Sequence, residues 1–166
     1  VAETFSVVGP DELRRLEAGD PWAAVLAAEP EPVRRIAEDR LEPLARAFAD
    51  FVDLKTPFTL GHSSGVAEIA TTAATRLGLP DPERILLAGL LHDLGRTGVS
   101  SGVWERQGSL SSAEREQVRL HPYYTERILA RSELLEPMAR IAGMHHERQD
   151  GSGYHHGASG AAVPVE

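Results

Sequence analysis

The segment Ile85-Leu86-Leu87-Ala88-Gly89-Leu90-Leu91-His92-Asp93 decides how this chain reads. From Ile85 to Leu91 no residue is polar, so a helix built from it is apolar on every side and belongs at the centre of a bundle. Asp81-Pro82 supplies a helix start, and the helix is predicted to run to about Leu94. The stretch falls far short of the roughly 20 apolar residues that span a bilayer, so no membrane span is expected. Asp93 closes the buried run. An ionised carboxylate buried there without a partner costs several kcal/mol at least, so it demands a cation, a hydrogen-bond network or a proton.

On either side, apolar residues recur at helical spacing and no run alternates with period two, which predicts an all-α fold. Asp11 and Asp20 read as N-caps of short helices, the second with Pro21 at the first helical position. Glu29-Pro30-Glu31-Pro32 marks a break, so residues 1–30 read as short helices or a linker and 31–166 as the main domain. A helix from Val33 through Leu41, Leu44, Phe48 and Phe51 is expected, kinked at Pro43. The next is expected from about Gly61 to Leu77, stopped by Gly78 and Pro80. A loop through Gly95, Gly98 and Gly102 precedes a helix capped by Ser111 or Ser112, with a kink or restart at Pro122. A last helix is predicted from Ser132 to about Glu147, followed by a loop rich in Gly, His and Ala.

The chain has 166 residues, the size of one domain by the rule of roughly 100 to 200 residues each. It contains no cysteine, which excludes disulfides, thiolate nucleophiles and thiolate metal sites and fits a reducing cytoplasm. A net charge of -8 repels nucleic acid, so direct nucleic-acid binding is not expected. The N-terminus Val-Ala-Glu-Thr has no basic segment leading into an apolar one and does not read as a secretory signal. It lacks an initiator Met, and Val163-Pro164-Val165-Glu166 ends without a helix stop; the chain reads as a piece of a longer protein with further domains, with a homodimer as one arrangement.

Seven histidines are many for an acidic chain with few aromatics, and they fall in a pattern. His62 precedes Val66, Ile69, Ala70, Ala73 and Leu77 on one helical stripe. His145 continues the stripe Leu134, Met138, Ile141, with His146 about 100° further round. His121 sits one turn after Val118 and one turn before Tyr124. Four helices thus each bring a histidine to, or close to, an inward position. Without cysteine, imidazoles plus a buried carboxylate suit iron, manganese or zinc.

His62, Leu91-His92-Asp93-Leu94-Gly95-Arg96, His121-Pro122 and His145-His146-Glu147-Arg148-Gln149-Asp150-Gly151-Ser152-Gly153-Tyr154 together resemble the HD-GYP branch of the HD metal-dependent phosphohydrolases. The resemblance covers residues 55 to 164 or so. It implies a helical bundle with two divalent ions (Fe, Mn or Zn) between the central helices, and hydrolysis of a phosphodiester such as cyclic di-GMP in signal transduction. It implies His62, His92 and Asp93 on one metal and His121, His145 and His146 on a second, with Asp93 bridging. Two ions about 3.5 to 4 Å apart activate a water and offset phosphate charge, so no protein nucleophile is required. His92 and Asp93 are therefore the expected catalytic pair. Glu147 and Asp150 are expected acceptors for ligand imidazole N–H groups. Arg96 is expected to grip a substrate phosphate, with Gly151, Gly153 and Tyr154 forming a loop that passes close to site or substrate. His155 and His156 are expected to be exposed loop residues.

The chain departs from the family pattern at several positions. Arg96 stands where the family carries Lys, His155 where it carries the Pro of GYP, and Thr125 where a Gly is usual. Phe58 occupies the place of the Glu found in three-metal members, which favours two ions. A further helix with a ligating Asp would follow the last residue. Two other readings remain: a catalytically degenerate regulatory or scaffold module, and a phosphohydrolase acting on a mononucleotide or alarmone.

Overall fold

The computed structural model of the chain describes residues 20–33 and 35–164. Two compact units divide between Ile36 and Ala37. In the first, α1 (Pro21–Ala27) begins at Asp20, whose carboxylate accepts the Trp22 N–H at 3.0 Å as an N-cap should. The cap expected at Asp11 lies outside the described residues.

The second unit carries α2 (Leu41–Asp53), α3 (His62–Leu77), α4 (Pro82–Leu91), α5 (Ser101–Trp104), α6 (Ser112–Arg119), α7 (His121–Leu129) and α8 (Glu136–Gly143). Among the described residues the only extended pairing is one bridge between Asp150 and Ser159. The fold is all-α, as the periodicity required. The apolar run is indeed central: α4 packs against α2, α3 and α8, with Ile85 and Leu87 to Leu91 buried. Leu87, Ala88, Leu90 and Leu91 share one cluster with Ala45 and Ala49 of α2, Ala67 of α3, Leu129 of α7, and Met138, Ala139 and Ala142 of α8. Each buried leucine contributes about 1.5–3 kcal/mol relative to leaving it in water. Small residues let α3 and α4 approach closely, for a Cβ on Gly89 would stand 2.7 Å from the Ala67 Cα.

That close approach corrects the stripe assigned to α3. Ser63, Ala67 and Ala74 face inward, Val66 and Ala70 are half-buried, and Ile69, Ala73 and Leu77 are exposed. The helix turns Ala67 to Gly89 of α4, where the approach leaves room only for small residues, and Ile69 and Leu77 go outward. Three element boundaries also differ. No helix starts at Val33; after a 3-10 turn at Glu38–Arg40, α2 begins at Leu41. Pro43 therefore lies in its first turn, where its missing N–H has no intrahelical partner to lose, and no kink is needed. The last helix begins at Glu136 rather than Ser132, with Pro137 in the first turn, and ends at Gly143. Helix α4 stops at Leu91, and the chain tightens into a 3-10 turn at Leu94–Gly98. The loop expected through Gly95, Gly98 and Gly102 holds that 3-10 turn and the short α5, while other expectations fit. Gly78 ends α3 with a left-handed φ of 66°, Ser111 and Glu114 form a capping box on α6, and Pro122 restarts the chain as α7.

Replacing Gly89 with alanine should force α3 and α4 apart, because the neighbour met is backbone and cannot rotate away. Overpacking of this kind costs about 1–3 kcal/mol. A urea titration of Gly89→Ala should show a lowered midpoint, and an unchanged midpoint would refute the packing described.

Candidate metal centre

The end of α4 delivers His92 and Asp93 into the interior, where both are buried. Thr125 of α7 makes this turn possible. Its hydroxyl donates to the His92 carbonyl and accepts the Gly95 N–H, both at 2.8 Å. The residue that breaks the family pattern thus pins the HD turn to α7. Gly95 is required there, since a Cβ would lie 2.0 Å from the His121 carbonyl oxygen.

Three rings are aimed by the same device. His92 Nδ1 lies 2.7 Å from the Gly89 carbonyl, His121 Nδ1 2.6 Å from that of Val118, and His145 Nδ1 2.6 Å from that of Ala142. Each carbonyl belongs to the last turn of a helix, α4, α6 or α8, where carbonyls lack intrahelical partners. A carbonyl only accepts, so each Nδ1 carries the proton and each Nε2 presents a lone pair.

Those lone pairs converge on Asp93. Its Oδ1 lies 3.3 Å from His121 Nε2 and 3.8 Å from His145 Nε2, and these two nitrogens are 3.1 Å apart. Its Oδ2 lies 3.5 Å from His92 Nε2, 3.6 Å from His62 Nε2 and 3.0 Å from Arg96 Nη1. His146 completes the cluster, its ring 4.3 Å from that of His145 and 5.0 Å from that of His121. The donor atoms sort into two trios, His62 with His92 and Asp93, and His121 with His145 and His146; within each trio they lie within 4.8 Å of one another. Two neutral acceptors 3.1 Å apart beside a carboxylate repel one another unless a cation joins them. The residues therefore fit divalent ions, with nitrogen and oxygen donors suited to iron, manganese or zinc.

The electrostatics agree. Burial pushes His92 below its ordinary range, outweighing the upward pull of Asp93. Burial and the nearby His92 take His145 down to about 3, and burial with His121 takes His146 down to about 4. For Asp93 burial acts upward, yet the proximity of His121, His92 and Arg96 holds the carboxyl well below the usual carboxylate range. At neutral pH His92, His145 and His146 are neutral imidazoles beside an anion, the protonation state a metal requires.

Several expected roles are corrected. Arg96 is buried, bonded to Asp93 and stacked 4.3 Å from the centroid of the Trp104 ring, so in this structure it holds the carboxylate. Glu147 accepts the backbone N–H groups of His156 and Ala158 at 2.7 and 2.8 Å, and Asp150 those of the Ser152 backbone and hydroxyl. Neither is bonded to a ligand imidazole; for His92, His121 and His145 helix-end carbonyls take that part. His62 sits at the rim, with its side chain 42% exposed. Gly153 does pass close to the site: a Cβ there would meet the backbone of residues 146–148 at 2.5–2.6 Å. Gly151 has φ 76° and forms the turn. Tyr154 stacks on His146, centroids 4.6 Å apart and planes 22° apart. His155 is not the exposed loop residue expected, since only 15% of its side chain is accessible.

Two contributors escaped the sequence reading. Asp53, 1% exposed, accepts the Ser63 N–H at 3.0 Å and its hydroxyl at 2.7 Å, anchoring the N-terminus of the helix that carries His62. A lone carboxylate in Phe51-Val52-Asp53-Leu54 was the available signal. Trp104 covers Arg96 and meets His121 edge-on at 5.8 Å, and nothing in its sequence context marks it.

The lowered histidines link stability to pH. Unfolded imidazoles titrate near 6.5, whereas His145 and His146 do so at about 3 and about 4 in the fold, so between those values the unfolded chain binds more protons. Stability of the metal-free protein should fall as pH drops from about 6.5 toward 4 and be insensitive to these groups above about 6.5. Urea midpoints measured across that range should decline on the acid side; a flat profile would contradict the buried neutral rings.

Among the described residues no helix is long and apolar enough to cross a membrane. The family model described as HD domain matches residues 46–166. The chain is 40% identical over 96% of its length to 3'3'-cGAMP-specific phosphodiesterase 3 of Vibrio cholerae, of which the match covers 35%. It is 32% identical over 80% of its length to 3'3'-cGAMP-specific phosphodiesterase 1 of the same organism, covering 31% of that protein. It is also 32% identical over 85% of its length to the cyclic di-GMP phosphodiesterase response regulator RpfG of Xanthomonas campestris, covering 37%. The chain thus spans about a third of the length of these relatives. The family match takes in every residue of the two trios, and with it the chain belongs to the HD-domain family.

Proposed function

We propose that this chain is the metal-dependent phosphodiesterase domain of a larger protein, in the HD-GYP branch, and that its substrate is a 3'3'-linked cyclic dinucleotide. The observation that carries the reading is the pair of donor trios built about one buried carboxylate. His62, His92 and Asp93 would hold one divalent ion and His121, His145 and His146 another, with the Asp93 carboxylate between them. Bound there, such ions lower the pKa of water and offset phosphate charge.

The protein's own residues do the rest. Helix-end carbonyls hold the proton on Nδ1 of His92, His121 and His145, keeping every Nε2 free as a donor atom. Arg96 keeps Asp93 ionised and oriented. With Arg96 committed inward, the task of binding phosphate passes to exposed cations beside the site. Arg119 lies 4.9 Å from the Tyr154 ring centroid, and Arg148 is near enough to act on His146 and Tyr154 electrostatically. Tyr154, stacked on His146 and met by the Arg119 guanidinium, ties that cation to the rim of the site. The names of the relatives support both cyclic di-GMP and 3'3'-cGAMP as members of the substrate class.

The test is hydrolysis by purified protein supplied with Mn or Fe, against cyclic di-GMP, 3'3'-cGAMP and a mononucleotide ester. A cyclic dinucleotide should be opened, and Asp93→Asn should abolish turnover. Arg119→Ala should raise KM roughly tenfold or more with little change in kcat, as expected from losing a charged contact of about 1.5–3 kcal/mol. Metal-loaded protein that cleaves no phosphodiester would overturn the enzymatic reading and leave a regulatory module in its place.

A further inference from the structure

A third group of metal-type donors lies apart from both trios. Glu126 of α7, His155 and His156 place one donor atom each within 4.8 Å of one another. The Glu126 Oε2 atom is 2.8 Å from His156 Nε2 and 3.4 Å from His155 Nε2, and the two rings stand 3.9 Å apart. His155 Nδ1 is buried and has no hydrogen-bond partner. One nitrogen of that ring is thus on the carboxylate and the other is uncommitted, an arrangement that a buried structural histidine ordinarily avoids.

The surroundings hold these donors in place before any ion arrives. Glu147 clamps the loop backbone through the N–H groups of His156, Gly157 and Ala158. Glu126 is braced against α8, where a Cβ on Gly143 would come within 2.9 Å of its side chain. The Tyr123 ring lies 5.4 Å from that of His155. His156, 43% exposed, leaves a path from solvent. Two imidazoles and one carboxylate form a donor set that zinc accepts with a remaining position for water.

We propose that Glu126, His155 and His156 form a further site for a divalent transition metal such as zinc, which fastens the loop bearing Tyr154 to α7. The site shares no ligand with the two trios, so it stands or falls independently of the catalytic reading. Zinc bound per chain, measured by mass spectrometry after dialysis, should fall by one equivalent in Glu126→Gln and in His156→Ala, with circular dichroism unchanged. Both changes spare the fold, one being isosteric and the other at an exposed ring. In protein carrying His92→Ala and His145→Ala, adding His156→Ala should again remove one equivalent. Zinc content equal to the wild type in both folded single variants would overturn the proposal.

Discussion

A buried aspartate toward which His92, His121 and His145 turn their Nε2 lone pairs is the constraint on which the rest of this structure turns. His121 and His145 direct lone pairs at each other across 3.1 Å, with the Asp93 carboxylate alongside. Such a cluster is unfavourable by itself and becomes favourable around positive charge. Arg96 answers one side of the carboxylate; the imidazole side is built to take a divalent cation. Elements that would otherwise look idiosyncratic follow from holding that cluster still. They include the early stop of α4, the Thr125 bridge and the Cβ-free approach at Gly95.

The same economy recurs at three helix ends. A helix leaves its last carbonyls without intrahelical partners, and here Gly89, Val118 and Ala142 each give theirs to a histidine three residues later. One contact satisfies a backbone group, fixes a tautomer and points a ring inward. Carboxylate orienters from the following loop are consequently unnecessary, and Glu147 and Asp150 are free to organise that loop's backbone.

Much of this was legible in the sequence, and the divide is physical. The run from Ile85 to Leu91 could only be a central helix, and histidines on separate helices beside a buried Asp93 announced a common site. Local capping chemistry was equally readable at Asp20, Ser111 and Gly78. What failed depended on contacts that exist only in the folded chain. The face of α3 was misjudged because only Gly89 reveals that small residues must point inward. Arg96 was given to the substrate because Trp104 and Asp93 compete for it only once folded. His155 looked like an exposed residue because Glu126, which lies beside it in the fold, is about thirty positions away; His156 is exposed as expected.

The central claim is that divalent ions reconcile the lone pairs gathered about Asp93. Crystals grown with manganese and measured at its absorption edge address it directly. Two anomalous peaks are expected, one among His62, His92 and Asp93 and the other among His121, His145 and His146, with the Asp93 carboxylate between them. Empty density at both places, with His121 instead hydrogen-bonded as a donor to Asp93, would contradict the account.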